Sequence, residues 1–202
     1  MTITVVLVDD QALVRGAMAA LLDLEADLRV VGEAGTGDEA LDLVLRVRPD
    51  VVLMDVDMPG MDGIETARLL RERGSAARVL IVTTFGRPGY LRRGLQAGAA
   101  GFVVKDTPAR LLADAVRRVH AGMRVVDPTL ATDSLIAGES PLTPREADVL
   151  RAARDGGSVA DIAAAVFLSE GTVRNHLSSA IGKTNARNRA DASRIANDNG
   201  WL

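Results

Sequence analysis

A parallel α/β domain followed by a smaller all-helical one is the architecture that this 202-residue sequence predicts. Three observations carry the prediction. Continuous apolar runs rich in Val, Ile and Leu recur through the first half, and such runs suit strands buried on both faces of a sheet. Helix-length segments of helical period separate them, as right-handed βαβ crossovers require. Beyond the first 140 or so residues the period is helical to the end of the chain, so the sheet cannot extend there. With 48% hydrophobic residues but only 2% aromatic, the core must rest on aliphatic side chains and alanine.

Taken in order, the strands fall at 3–8, 29–32, 51–54, 79–83 and 101–104, and helical periodicity covers 11–24, 37–46, 64–73, 90–97 and 108–120. This (βα)5 pattern over residues 1–122 implies a flavodoxin-like sheet of order 2-1-3-4-5, covered on both faces. Residues 123–140 mix short apolar pieces with Pro128, Gly138 and polar residues, and read as linker. Residues 141–202 hold four helices. Thr143-Pro144-Arg145-Glu146 supplies a hydroxyl at N-cap, proline at N1 and carboxylate at N3. Ser158 and Asp161 repeat that spacing before a short helix over 159–165, Ser169 caps a third over 170–183, and a fourth spans about 190–199.

Composition excludes several function classes. The absence of cysteine rules out disulfides, thiolate catalysis and cysteine metal sites. His120 and His176 lie far apart and form no ligand cluster. No stretch approaches the roughly 20 apolar residues of a membrane helix, and no signal peptide is visible, so a cytoplasmic protein without membrane insertion is expected. The net charge of −3 hides an asymmetry: eight Lys/Arg against seven Asp/Glu from Pro141 onward, and 16 against 20 before it. Between Gly171 and Arg194 stand five basic residues and one acid, Asp191, a modest electrostatic footprint for nucleic acid.

Four of the strands run into polar residues: the first into Asp9 and Asp10, the third into Asp55, the fourth into Thr83, the fifth into Lys105. Ligands of open parallel sheets bind outside the carboxyl ends of the strands, so these groups converge on an acidic pocket with one fixed cation. A carboxylate can attack a phosphoryl group to form an acyl phosphate, with a cation neutralising the crowded oxygens. Asp55 is the expected nucleophile. Mg²⁺ suits the pocket, since it binds through one or two carboxylates, waters and the phosphate itself. Asp10 would ligate it directly, Asp9 would orient a metal-bound water, and the Asp57 backbone carbonyl would complete the set. Lys105 and Thr83 would each contact a phosphoryl oxygen.

These residues, together with Met58-Pro59-Gly60-Met61-Asp62-Gly63, give the first half its resemblance to a response-regulator receiver domain. The resemblance implies a phosphoryl group received from a sensor histidine kinase, with the family's roles falling on Asp10, Asp55, Thr83 and Lys105. Phe102 stands where receivers carry an aromatic switch residue, often Tyr. Many receivers follow the lysine with proline, whereas here Asp106 follows and Pro108 comes later as a helix N1 residue.

In the second half, 159–165, the turn through Phe167-Leu168, and 170–183 have the proportions of a helix-turn-helix. Val173, Leu177 and Ala180/Ile181 face the core at helical spacing, leaving Arg174, Asn175, Ser178 and Ser179 outward. Arg and Asn are the residues that read guanine and adenine edges in the major groove. Thr172, Lys183, Arg187 and Arg189 are placed for phosphates. Leu142-Thr-Pro-Arg-Glu146 and Leu168-Ser-Glu-Gly-Thr-Val-Arg-Asn-His-Leu177 resemble the LuxR-type DNA-binding domain, so the whole chain resembles the NarL/FixJ class of response regulators. Thr83-Thr-Phe-Gly-Arg-Pro-Gly-Tyr90 and Asp198-Asn-Gly-Trp-Leu202 are most similar to its DesR branch, which implies a membrane kinase sensing lipid order. The family's last helix is its dimer contact, here about residues 191–199. A double-stranded DNA operator, a homodimer formed on phosphorylation and RNA polymerase are the partners this implies.

The expected function is therefore transcription regulation by a non-enzymatic phosphoswitch at Asp55, in which Thr83 and Phe102 repack. Two rivals remain at this level. Asp55-Val56-Asp57 is a DxD motif, as in dehalogenase-type phosphatases, but there it follows the first strand and here the third. A phosphate-independent regulator would be expected to lose pocket residues, and this pocket is complete.

Overall fold

A computed structural model describes residues 2–84, 88–137, 140–154 and 156–202. The chain forms two compact units whose main boundary falls between Thr132 and Asp133. The first holds β1 (Ile3–Val8), α1 (Ala12–Leu22), β2 (Leu28–Ala34), α2 (Gly37–Val47), β3 (Val51–Asp55), α3 (Gly63–Glu72), β4 (Arg78–Thr83), α4 (Pro88–Ala97), β5 (Gly101–Val104), α5 (Ala109–His120) and β6 (Val125–Val126). Its sheet is parallel throughout, in the order β2-β1-β3-β4-β5-β6.

Alternation along the central strands sends side chains into two apolar layers. Val6, Val8, Val52, Met54, Ile81 and Phe102 pack with α2, α3 and α4 on one face. Val5, Leu7, Leu53, Leu80, Val82 and Val103 pack with α1 and α5 on the other. Burial on both faces explains why these strands read as unbroken apolar runs. Helix starts follow local chemistry: Thr36 accepts from the Glu39 amide at the head of α2, and Asp62 from the Glu65 amide at the head of α3. Pro108 is the N-cap of α5, one position before the expected N1.

The stretch read as linker carries structure. Val125 and Val126 add a sixth parallel strand beside β5, and α6 (Pro128–Ala137) follows. Asp127 caps that helix, accepting from the Thr129 amide, and Leu130 is buried in the apolar layer of the first unit. A two-residue strand and a helix without an amphipathic stripe leave little periodic signal, which is why the sequence gives no hint of them. Gly138 lies outside the described residues.

The second unit packs α7 (Pro144–Ala153), α8 (Val159–Val166), α9 (Glu170–Lys183) and α10 (Arg189–Asp198) around Val149, Leu150, Ile162, Val173, Leu177, Ala192 and Ala196. Thr143/Glu146 and Ser158/Asp161 both form reciprocal capping boxes, and Ser169 accepts from the Thr172 amide at the start of α9. Phe167 ends α8 in the left-handed conformation, at φ 56°, and is 93% exposed.

Candidate functional site

The carboxyl ends of β1, β3, β4 and β5 bring Asp9, Asp10, Asp55, Thr83 and Lys105 to one end of the sheet. Asp9, Asp55 and Thr83 are buried, Asp10 is exposed, and the Lys105 side chain is 8% exposed. Lys105 Nζ bridges the two buried carboxylates, 2.7 Å from Asp9 Oδ2 and 2.9 Å from Asp55 Oδ2. Burial pushes the Asp55 carboxyl up, against the pull of the neighbouring ammonium. Burial alone would lower the Lys105 ammonium, but bonds to Asp9 and Asp55 hold it above the ordinary lysine range.

Each pocket group is oriented by its surroundings. Asp55 Oδ1 accepts from the Val56 amide at 2.8 Å, and Asp9 Oδ1 from the Gln11 amide at 2.9 Å. Arg15 reaches from α1 to donate to the Asp9 carbonyl oxygen at 2.5 Å. The Lys105 amide donates to the Thr83 carbonyl at 2.7 Å, which ties the ends of β4 and β5 together. At Gly63 a Cβ would lie 1.8 Å from the Asp55 carbonyl oxygen, so only glycine lets α3 start so close to the nucleophile.

Asp9 Oδ2 is buried and, apart from its ion pair with Lys105, receives no aligned hydrogen bond among the described residues. One carboxylate oxygen from each of Asp9, Asp10 and Asp55 lies within 4.8 Å of the others. Hard oxygen donors grouped in this way fit a hard divalent cation. Phe102, fully buried in β5, presses its ring onto α4, where a Cβ on Gly94 would lie 2.1 Å from Cζ.

In the second unit Arg174, Asn175 and Ser178 are exposed on α9, and Thr172 lies in its first turn. Arg187 is exposed and Arg189 half-buried. Ser179 and Lys183 are differently engaged. Ser179 Oγ donates to Glu146 Oε1 and Lys183 Nζ to Glu146 Oε2, each at 2.7 Å, while the same carboxylate accepts from the Thr143 amide. Burial would raise the Glu146 carboxyl, but these bonds bring it down to about 2. Helical spacing alone cannot show that α7 supplies a buried acid to the outward face of α9.

Tyr90 and Glu146 were not legible as partners of the functional residues because each acts on a residue more than 30 positions away. Arg15, only six residues from Asp9, carries no periodic or capping signal that marks its bond to the Asp9 carbonyl. Of the Thr83–Tyr90 motif, Phe85, Gly86 and Arg87 lie outside the described residues. Among the described residues, no helix is long and apolar enough to cross a membrane.

A parallel sheet ending in a buried acid–lysine cluster, joined to a helix-turn-helix unit, defines a signal-receiving regulator of transcription. Residues 5–117 match the response regulator receiver domain, and residues 140–196 match the bacterial regulatory proteins of the luxR family. The chain is 45% identical to the uncharacterized transcriptional regulatory protein YvfU of Bacillus subtilis, over 96% of each chain. It is 40% identical to the transcriptional regulatory protein DesR of the same organism, over 99% of each. The crystal structure of the response regulator ChrA, from a heme-sensing two-component system, is 33% identical with TM-score 0.61, covering 100% of this chain and 99% of that one. The chain belongs to the NarL/LuxR family of response regulators: a receiver followed by a LuxR-type DNA-binding domain, regulating transcription without being an enzyme.

Proposed function

We propose that Asp55 is the phosphoacceptor of this regulator, and that its phosphorylation by a partner histidine kinase favours a homodimer able to bind its operator DNA. The observation that carries the proposal is the buried ammonium of Lys105 bridging Asp9 and Asp55 where four strand ends meet. An Asp55 oxygen attacks phosphorus as the P–N bond of the donor phosphohistidine breaks, and the released imidazole takes up a proton. Lys105 then transfers its contact from the carboxylate to a phosphoryl oxygen, and the Thr83 hydroxyl takes another. Asp9, Asp10, Asp55 and the Asp57 carbonyl would hold Mg²⁺, which supplies charge neutralisation for the transferring oxygens.

The added phosphoryl charge of about −1.5 to −2 biases two packings of Thr83, Phe102 and α4. The receiver proposed for residues 1–122 is extended by β6 and Leu130, the rest of 123–140 serves as the connection, and 141–202 serves as the DNA-binding domain. In that domain Arg174, Asn175 and Ser178 read bases, while Thr172, Arg187 and Arg189 contact phosphates. Ser179 and Lys183 steady α9 through Glu146, and Lys183 reaches phosphate only by leaving that bond. With so few basic contacts per domain a monomer binds weakly, so a dimer reading two half-sites about one helical turn apart is the active form. A cytoplasmic location fits these partners.

Intact mass after incubation with acetyl phosphate and Mg²⁺ tests the site. One phosphoryl adduct is expected on the wild type, labile to hydroxylamine, and none on Asp55→Asn. An adduct of equal yield on the variant would move the acceptor elsewhere.

A further inference from the structure

We infer that Tyr90 is a positioning residue that couples α4 to the phosphoacceptor loop. Its ring is buried in the same apolar layer as Phe102, Val56 and Met58, at 6% exposure, and its hydroxyl donates to Asp57 Oδ1 at 2.7 Å. Asp57 stands two residues beyond Asp55, in the loop that joins β3 to α3. One helical turn further along α4, Arg93 lies 3.6 Å from Asp62, the residue that caps α3 at the other end of that loop. Positions three apart on a helix share a face. One face of α4 therefore grips both ends of the segment carrying Asp57 and the metal-side backbone.

Two features make the hydroxyl more than a surface contact. The bond is charge-assisted, and its donor is fixed by a buried ring with few rotatable bonds, so little entropy is lost in making it. The ring of Phe102 meets α4 at Gly94, one turn beyond Tyr90, and carries no hydroxyl of its own. The aromatic of β5 thus sets the depth of α4 by packing, and Tyr90 ties the helix to the pocket loop by a directional bond. A phosphoryl group on Asp55 must displace Lys105 from Oδ2 and crowd the residues next to it, so the strain falls first on the loop that Tyr90 holds.

The coupling itself stands on geometry; its role in signalling rests on the phosphoacceptor reading of Asp55, and the experiment separates the two. Amide hydrogen exchange over residues 90–97 is measured in the full chain for wild type, Tyr90→Phe, Asp57→Ala and the double variant, without donor or metal. Each single substitution should speed α4 exchange about fivefold, the effect of one ordinary hydrogen bond, and the double variant should exchange no faster than either single one. Unchanged exchange in Tyr90→Phe, or additive effects in the double variant, would overturn the coupling. Arg93→Gln, which weakens the second tie and leaves the hydroxyl, should give a smaller and independent increase.

The second arm adds acetyl phosphate and Mg²⁺ and reads the mass adduct beside the exchange. If wild type takes up the phosphoryl group and its α4 exchange changes, that change should shrink in Tyr90→Phe at equal adduct yield. An undiminished response at equal yield would refute Tyr90 as a route from Asp55 to α4. Absence of any adduct on wild type would defeat the phosphoacceptor reading, while the first arm would still decide the coupling.

Discussion

Glu146 offers the most direct test of how the DNA-binding unit is held together. The residue is 4% exposed, and its carboxylate accepts from the Thr143 amide, Ser179 Oγ and Lys183 Nζ. Glu146→Ala removes one half of the capping box, worth about 1 kcal/mol. It also leaves the Lys183 ammonium unpaired, but that side chain is 36% exposed and can rehydrate. That loss is therefore discounted to about 0.5–1 kcal/mol. Ser179 is exposed and re-solvates at little cost, and losing the buried side-chain stem adds roughly 1 kcal/mol. The total is about 2.5–3 kcal/mol, a large fraction of the stability of so small a unit.

Glu146→Gln keeps the shape and one acceptor oxygen, and should cost about half as much. The single tryptophan, Trp201, packs against the core of this unit, so its fluorescence reports the relevant unfolding transition in urea. Urea midpoints should fall in the order wild type, Glu146→Gln, Glu146→Ala. A Glu146→Ala variant within about 0.5 kcal/mol of wild type, the range of an ordinary surface substitution, would show that the carboxylate does not hold the unit together.

Other consequences follow from the same geometry. The folded Glu146 carboxyl sits at about 2 against an ordinary 4.5, so its stabilisation is complete above pH 4.5 and is lost as pH falls from there towards 2. Acid titration of Trp201 fluorescence should show that loss in wild type and a flatter profile in Glu146→Gln. Gly94→Ala should destabilise the receiver by about 1–3 kcal/mol despite alanine's better helix propensity, because the new methyl meets the Phe102 ring; calorimetry showing stabilisation would contradict this. Lys105→Met should raise the Asp55 carboxyl further, since the ammonium is what opposes burial there. Carbon-13 NMR titration of the carboxyl would read the shift, and an unmoved or lowered pKa would count against the bridge.

The receiver was the more legible half of the chain. Strands buried on both faces advertise themselves as apolar runs, and Asp9, Asp10, Asp55, Thr83 and Lys105 stand next to those runs, so their convergence follows from topology alone. The helix starts at Thr143, Ser158 and Ser169 were readable because capping is local chemistry over three residues. Local patterns failed where a second element supplies the partner. Nothing adjacent to Ser179 or Lys183 signals a buried acid from α7, and nothing near Asp57 signals the Tyr90 hydroxyl from α4. Likewise β6 and α6 are held by contacts of Val125, Val126 and Leu130 that no periodicity records.

The central claim is that chemistry at Asp55 controls assembly. Sedimentation velocity of the full chain with Mg²⁺, before and after acetyl phosphate, tests it most directly with Asp55→Asn beside the wild type. A shift from monomer to dimer is expected in the wild type alone. A dimer in both proteins regardless of donor, or a wild type that carries the phosphoryl group and stays monomeric, would contradict it.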